Sequence, residues 1–339
     1  MKIVKYLFFL LLIAIIAVSI YVAVQPADYE VKRSRLIEAP VSVVYNNIND
    51  YKNWESWGPW QEQDPTMTYN YAANTVGVGG SYTWNGKDGK GKMETVSADA
   101  NKSIDQKLSF EDFEPSDVYW AFNETDKGTE VTWGMKGTKN FMFKLYTTFA
   151  GSMEKTVGPM YERGLEKLDS VIVDGMKKYS VNVNGVVDHG GGFYIYNTVS
   201  CKTSEIPEKI REMMGQIGEY AIQNKVTMAG APFVYYREID NENNAVILSC
   251  CIPTTEKVIT NSDSGIVTGE LPSFAALKTT LTGNYSNLKA AWETAQQYMK
   301  DNKLESVEGP MLEVYTNDPG QHPNPADWTT EIYLPVKSN

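Results

Sequence analysis

The feature that most constrains the fold of this chain is an internal repeat. Compared with themselves, residues 193 to 337 divide into two halves with the same order: strand, helix, strand, strand. The first half reads FYIYNTVSCK, IPEKIREMMGQIGEYAIQNK, GAPFVYYREID and AVILSCCIPT. The second reads SFAALKTTLTG, NYSNLKAAWETAQQYMKDNK, EGPMLEVYTND and WTTEIYLPV. Both third elements open with Gly and Pro (Gly230 and Pro232; Gly309 and Pro310), and both fourth elements carry a terminal proline, Pro253 and Pro335. Each half can cover one face of its strands with its own helix. Two such halves side by side form a pseudo-twofold pair with a groove between them, a common place for a ligand.

Strand alternation then selects candidate residues. In Met311-Leu312-Glu313-Val314-Tyr315, Leu312 and Val314 make the apolar face that suits a helix, which leaves Met311, Glu313 and Tyr315 on the other. Aligning the halves on Pro232 and Pro310 makes Tyr235 the counterpart of Glu313 and Arg237 the counterpart of Tyr315. The expected ligand-binding set is therefore Glu313, Tyr315, Tyr235 and Arg237. In the last strand, Glu331 and Tyr333 share one face, with Thr330, Ile332 and Leu334 on the other. An acid ringed by aromatics attracts cations if ionised. If desolvation raises its pKa, it can act as a general acid or base.

At 339 residues the chain is long enough for two domains of roughly 150 residues each. A second chemical boundary lies at its start. From Tyr6 to Val24 the chain carries no charge, a stretch that at ~1.5 Å per residue approaches the thickness of a bilayer core. Lys2 and Lys5 precede it, and Asp28 and Glu30 follow, which is the pattern of an anchor inserted with its N-terminus inside. Residues 1–27 are thus expected to be a single-pass membrane segment, with the rest extracytoplasmic. Ala17-Val18-Ser19 offers a small-residue cleavage site as the alternative.

The composition excludes several function classes. The net charge is −11, and no basic stripe interleaved with aromatics occurs, so nucleic acid is not an expected partner. Three cysteines (Cys201, Cys250 and Cys251) without a CxxC spacing, and two histidines (His189 and His322), give too few ligands for a Cys/His zinc site. No metal and no cofactor are expected. Cys250 and Cys251 are adjacent in a strand and so point to opposite faces. Neither histidine lies beside a plausible nucleophile, and there is no GxSxG.

Residues 28–175 read as a separate domain. A strand, YEVKRSRLIEAP, leads through Pro40 into the helical stretch VSVVYNNINDY, and then to Trp54, Trp57 and Trp60 at intervals of three. Alternating stretches between Gly-rich turns follow, an antiparallel meander, and a long helical pattern closes the segment. Its acidic residues Glu55, Asp64, Glu94 and Glu130 have no diagnostic pairing, and the tryptophans are expected to pack the domain mouth. RSRLIEAP, NDYKNWESWGPW, TEVTW and YERGLEKL together resemble the polyketide cyclase and START-like superfamily. That resemblance implies a helix-grip sheet wrapped around a long helix, with an apolar cavity between them and no fixed catalytic set.

Residues 176–189 are expected to be a linker, with Gly190-Gly191-Gly192 as the sharpest break and the second domain spanning 190–339. There, TGNYSNLKAAWETAQQYMKDN followed by GPMLEVYTNDP and WTTEIYLPV resembles the GyrI-like family, which includes effector-binding domains of AraC-type activators. The resemblance implies that Glu313 sits at the base of an aromatic pocket for cationic or amphipathic ligands, with Trp328 as a further wall. The overall expectation is an α+β chain: a helix-grip domain followed by a duplicated GyrI-like domain. It would act as a membrane-anchored small-molecule sensor or carrier. The alternative is a hydrolase of small electrophiles using Glu313 with Tyr235 or Tyr315.

Overall fold

The computed structural model describes residues 2–111 and 113–337. It divides into two compact units, 1–175 and 176–339.

The first unit begins with α1 (Lys2–Val24), whose stretch Ile3–Val24 is long and apolar enough to cross a membrane. The chain continues through β1 (Asp28–Ile37), α2 (Val41–Asn49) and two short turns of helix, α3 (Trp54–Trp57) and α4 (Trp60–Gln63). A meander follows: β2 (Thr68–Tyr71), β3 (Ser81–Gly86), β4 (Gly89–Asp99), β5 (Ser103–Phe110), β6 (Ser116–Thr125) and β7 (Gly128–Thr138). Then come α5 (Phe141–Ala150) and the long α6 (Met153–Met176). The seven strands run in the order β1-β7-β6-β5-β4-β3-β2, so the first strand returns to lie antiparallel beside the last. This is the helix-grip architecture.

Large rings fill the space between this sheet and α6. Tyr161 of α6 stacks on Trp133 at 3.8 Å, and Trp133 stacks on Trp120 at 4.5 Å. The contact is close because Gly164 of α6 lies against Trp133; a Cβ there would come within 2.7 Å of the ring. Trp54 and Trp57 are buried in the same cluster, and Trp60 stacks on Trp54. The tryptophan triplet is thus core packing, reinforced by a polar chain. Trp120 Nε1 donates to Gln106, Gln106 donates to the Tyr51 hydroxyl, and Tyr51 pairs with Thr95.

In the second unit, β8 (Ser180–His189) precedes β9 (Gly192–Lys202), α7 (Ile206–Gln223), β10 (Phe233–Asp240) and β11 (Ala245–Thr254). After β12 (Val267–Leu271) the pattern repeats as β13 (Phe274–Thr282), α8 (Leu288–Asp301), β14 (Met311–Tyr315) and β15 (Thr329–Pro335). The eight strands lie in the order β12-β9-β11-β10-β14-β15-β13-β8. The two halves meet where β10 pairs with β14, and each borrows an edge strand from the chain leading into the other.

The expected linker is therefore corrected in part, because residues 180–189 form strand β8, paired along β13. Burial alternates residue by residue along the whole of β8, but at Gly185 φ is +94° and the ladder skips Asn184, with Gly185 opposite Lys278 and Val183 opposite Thr279. The skipped residue makes a bulge, and it is the Asn182, Asn184, Gly185 and Asp188 content of the strand that reads as a linker in sequence.

Candidate functional site

Both helices of the second unit pack on one face of the sheet. Below α7 lie Cys201, Val234, Tyr236, Val246, Leu248 and Cys250, and below α8 lie Leu277, Leu281, Ile332 and Leu334. The other face carries Tyr194, Phe233, Cys251, Leu271 and Leu312, with Tyr196, Tyr235, Val314 and Tyr333 packed against them. Cys250 and Cys251 thus point to opposite faces as expected, and all three cysteines are free thiols.

This arrangement reverses the expected facing of β14. Leu312 and Val314 belong to the far face, while Met311, Glu313 and Tyr315 face the helices. The equivalence drawn from Pro232 and Pro310 is one residue out of step. Val234, not Tyr235, lies directly opposite Glu313 in the ladder. Aligning on Gly230 and Gly309 restores the match, since Gly230 packs on Pro253 as Gly309 packs on Pro335. Val234 then corresponds to Glu313 and Tyr236 to Tyr315. A slip of one residue moves every side chain to the other face.

Tyr235 and Arg237 are consequently separated from Glu313 by the sheet. The Arg237 guanidinium lies over the rings of Tyr196 and Tyr235 at 4.8 and 4.5 Å and donates to Ser249 Oγ at 2.6 Å. Of the expected set, Glu313 and Tyr315 are brought together. Trp328 stands one ring further out: it packs on Tyr285 at 4.7 Å, and Tyr285 packs on Tyr315 at 5.2 Å. As expected, Glu331 and Tyr333 share a face, joined by a hydrogen bond of 2.7 Å.

Glu313 is 2% exposed. Trp292 Nε1 of α8 donates to its Oε1, and the Tyr315 hydroxyl donates to its Oε2 at 3.1 Å. The Tyr236 hydroxyl of β10 is a third hydrogen-bonding partner. The Tyr236 and Trp292 rings meet edge to face at 5.5 Å. Small residues set this geometry. Ala291 and Ala295 are fully buried on the sheet side of α8, so the helix lies close and delivers the adjacent Trp292 to the acid.

Burial pushes the Glu313 carboxyl above its ordinary pKa, and the bonds from Trp292, Tyr236 and Tyr315 oppose that rise. No lysine or arginine is among the groups that shift it. In turn desolvation, reinforced by the neighbouring acid, pushes the Tyr236 and Tyr315 hydroxyls well above 10, so both remain neutral donors. On the same face, next to Tyr315 in the ladder, the buried Thr330 hydroxyl has no partner among the described residues.

Two members of this cluster escaped the sequence reading. Tyr236 is revealed by the glycine alignment. Trp292 lies at helical spacing with Leu288, Ala291 and Ala295, which marks it as facing the sheet but does not show that its indole N–H reaches an acid.

Two family models match regions of this chain. Residues 193–337 match the family described as GyrI-like small molecule binding domain. Residues 28–173 match the family described as polyketide cyclase / dehydrase and lipid transport. No curated protein matches the chain. Among solved structures, the EcmrR C-terminal domain aligns over 48% of this chain and 99% of its own, with 17% identity and a TM-score of 0.41. Protein Ms6760 from Mycobacterium smegmatis aligns over 43% and 91%, with 21% identity and a TM-score of 0.32. CV1439 from Chromobacterium violaceum covers 43% and 98%, with 14% identity and a TM-score of 0.34. The chain thus joins a domain of the polyketide cyclase, dehydrase and lipid-transport family to a GyrI-like small-molecule-binding domain.

Proposed function

We propose that this protein is a membrane-anchored sensor or carrier that receives a small amphipathic or cationic molecule at Glu313. One observation carries the reading: a carboxyl group 2% exposed, held by three aromatic donors, with no cationic side chain among the described residues acting on it. A buried carboxylate without a counter-charge is costly. A ligand cation supplies that charge, and the surrounding ring faces add their own attraction. Trp292 and Tyr315 are only partly buried, which supports the approach of a ligand from the side of these two rings. The anchoring part of the proposal draws on α1, whose length and apolarity suit a bilayer and whose residues are almost all exposed.

The test is a thermal-shift series with lipophilic cations, using tetraphenylphosphonium as the probe and an uncharged aromatic of similar size as the control. A cation present at 100 times its Kd should add about 2.7 kcal/mol of stability. The shift is expected for the cation and not for the neutral control, and it should disappear in Glu313→Gln. Equal shifts in both proteins would refute the site. A second reading, hydrolysis of a small electrophile, is favoured by the hydroxyls of Tyr236 and Tyr315 on the same carboxyl. Turnover that is lost in both Glu313→Gln and Tyr236→Phe would select it.

A further inference from the structure

The first unit contains a helix whose apolar side faces outward. In α5, Phe141, Met142, Tyr146 and Phe149 are 44, 67, 59 and 75% exposed. With ~100° between successive residues, these four and Leu145 fall within one sector of the helix surface. The remaining side chains are engaged elsewhere. Phe143 packs on Tyr29 at 6.0 Å and on Phe113 at 5.2 Å. Thr147 and Thr148 bond back to the helix's own carbonyls. An amphipathic helix normally buries its apolar stripe, and here the stripe is the exposed side.

The surroundings indicate what covers it. α5 packs against α1, and Lys144 Nζ of α5 donates to the carbonyl of Ala23, one residue before α1 ends. The exposed stripe therefore lies beside the outer end of the apolar helix, where the surface of a bilayer spanned by α1 would be. The stripe is also aromatic-rich, as suits the boundary between headgroups and acyl chains. We propose that α5 is an interfacial helix that seats Phe141, Met142, Leu145, Tyr146 and Phe149 in the membrane. It would hold the first unit against the bilayer at a second point besides the anchor. This rests on α1 being embedded, and the location fits helices that bury their apolar side about 5–10 Å into the headgroup and acyl boundary.

The three native cysteines are buried, so a cysteine introduced at the surface can be labelled selectively. The full-length protein would be reconstituted in vesicles of phosphatidylcholine and phosphatidylglycerol. It would carry an environment-sensitive fluorophore at Met142→Cys, Phe149→Cys, Ile13→Cys (within α1) or Lys102→Cys (a solvent-exposed turn). The inference expects blue-shifted emission and strong quenching by nitroxide-labelled lipids at Met142 and Phe149, as at Ile13, with neither effect at Lys102. Quenching at Met142 should be lost when Phe149→Asp is added, while the thermal midpoint stays unchanged. Quenching at Ile13 with water-like emission at both α5 positions would overturn the inference and leave the anchor standing. Quenching at α5 without quenching at Ile13 would support α5 as a membrane helix and overturn the spanning role of α1. Water-like emission at all three positions would overturn both.

Discussion

Glu313 shows how neutral partners can hold an acid in a dry place. Its three donors are an indole and two phenols, so the carboxyl is hydrogen-bonded without being neutralised. The pH dependence follows from the sign of its shift. The folded protein holds this proton more tightly than the unfolded chain does. The stabilisation linked to Glu313 is therefore fully present below about pH 4.5 and is lost as pH rises through the folded-state value. Urea unfolding of Glu313→Gln should lack this loss, so the variant gains on the wild type by up to about 1.4 kcal/mol per pH unit in that window. Parallel profiles for the two proteins would mean that the acid is not desolvated. Trp292→Phe removes a donor and should cost about 1–3 kcal/mol at neutral pH. That cost should shrink on acidification, once the carboxyl carries its own proton. A cost unchanged with pH would assign the loss to ring packing alone.

Among the elements, strands and helices with unbroken periods were legible in sequence: α7, α8 and the six strands of the repeat all came from the duplication. What stayed hidden depended on local composition and single-residue register. β8 was concealed by its Asn, Gly and Asp content, and the facing of β14 was inverted by giving the apolar pair Leu312 and Val314 to the helix side. Anchoring the alignment on prolines instead of glycines put Tyr235 and Arg237 where Val234 and Tyr236 belong. Apolarity alone could not settle that facing, because Leu312 and Val314 are buried among aromatics on the far side while the helix side accommodates a charged group with its donors. Trp292 was out of reach for a different reason: it belongs to an element remote in sequence from Glu313, and only the close approach of α8 joins them. The glycines give an element-scale test. Gly185 (φ +94°) is strained for any other residue, so Gly185→Ala should destabilise by about 1–2 kcal/mol. Gly190 has open space around it and no positive φ, so Gly190→Ala should change the urea midpoint little. Equal effects would contradict the bulge as the origin of the requirement.

Across the whole molecule, two ligand-binding families follow one apolar helix within a single chain. The first unit's interior is largely occupied by tryptophan and tyrosine rings, yet the indole N–H groups of Trp57 and Trp133 are buried without a partner among the described residues. The second unit holds its acid equally enclosed. If α1 is the anchor, a chain beginning at Asp28 should remain in the aqueous phase on detergent phase separation, while the full chain should enter the detergent. Identical partitioning would place the membrane contact elsewhere. Within the second unit, the sheet divides two candidate charges: Glu313 on the helix side and Arg237 on the far side. The most direct test of the account is calorimetric titration of tetraphenylphosphonium into the wild type, Glu313→Gln and Arg237→Ala. Saturable binding that is lost in Glu313→Gln and kept in Arg237→Ala is the predicted result. Binding that survives in Glu313→Gln, or that fails only in Arg237→Ala, would contradict it.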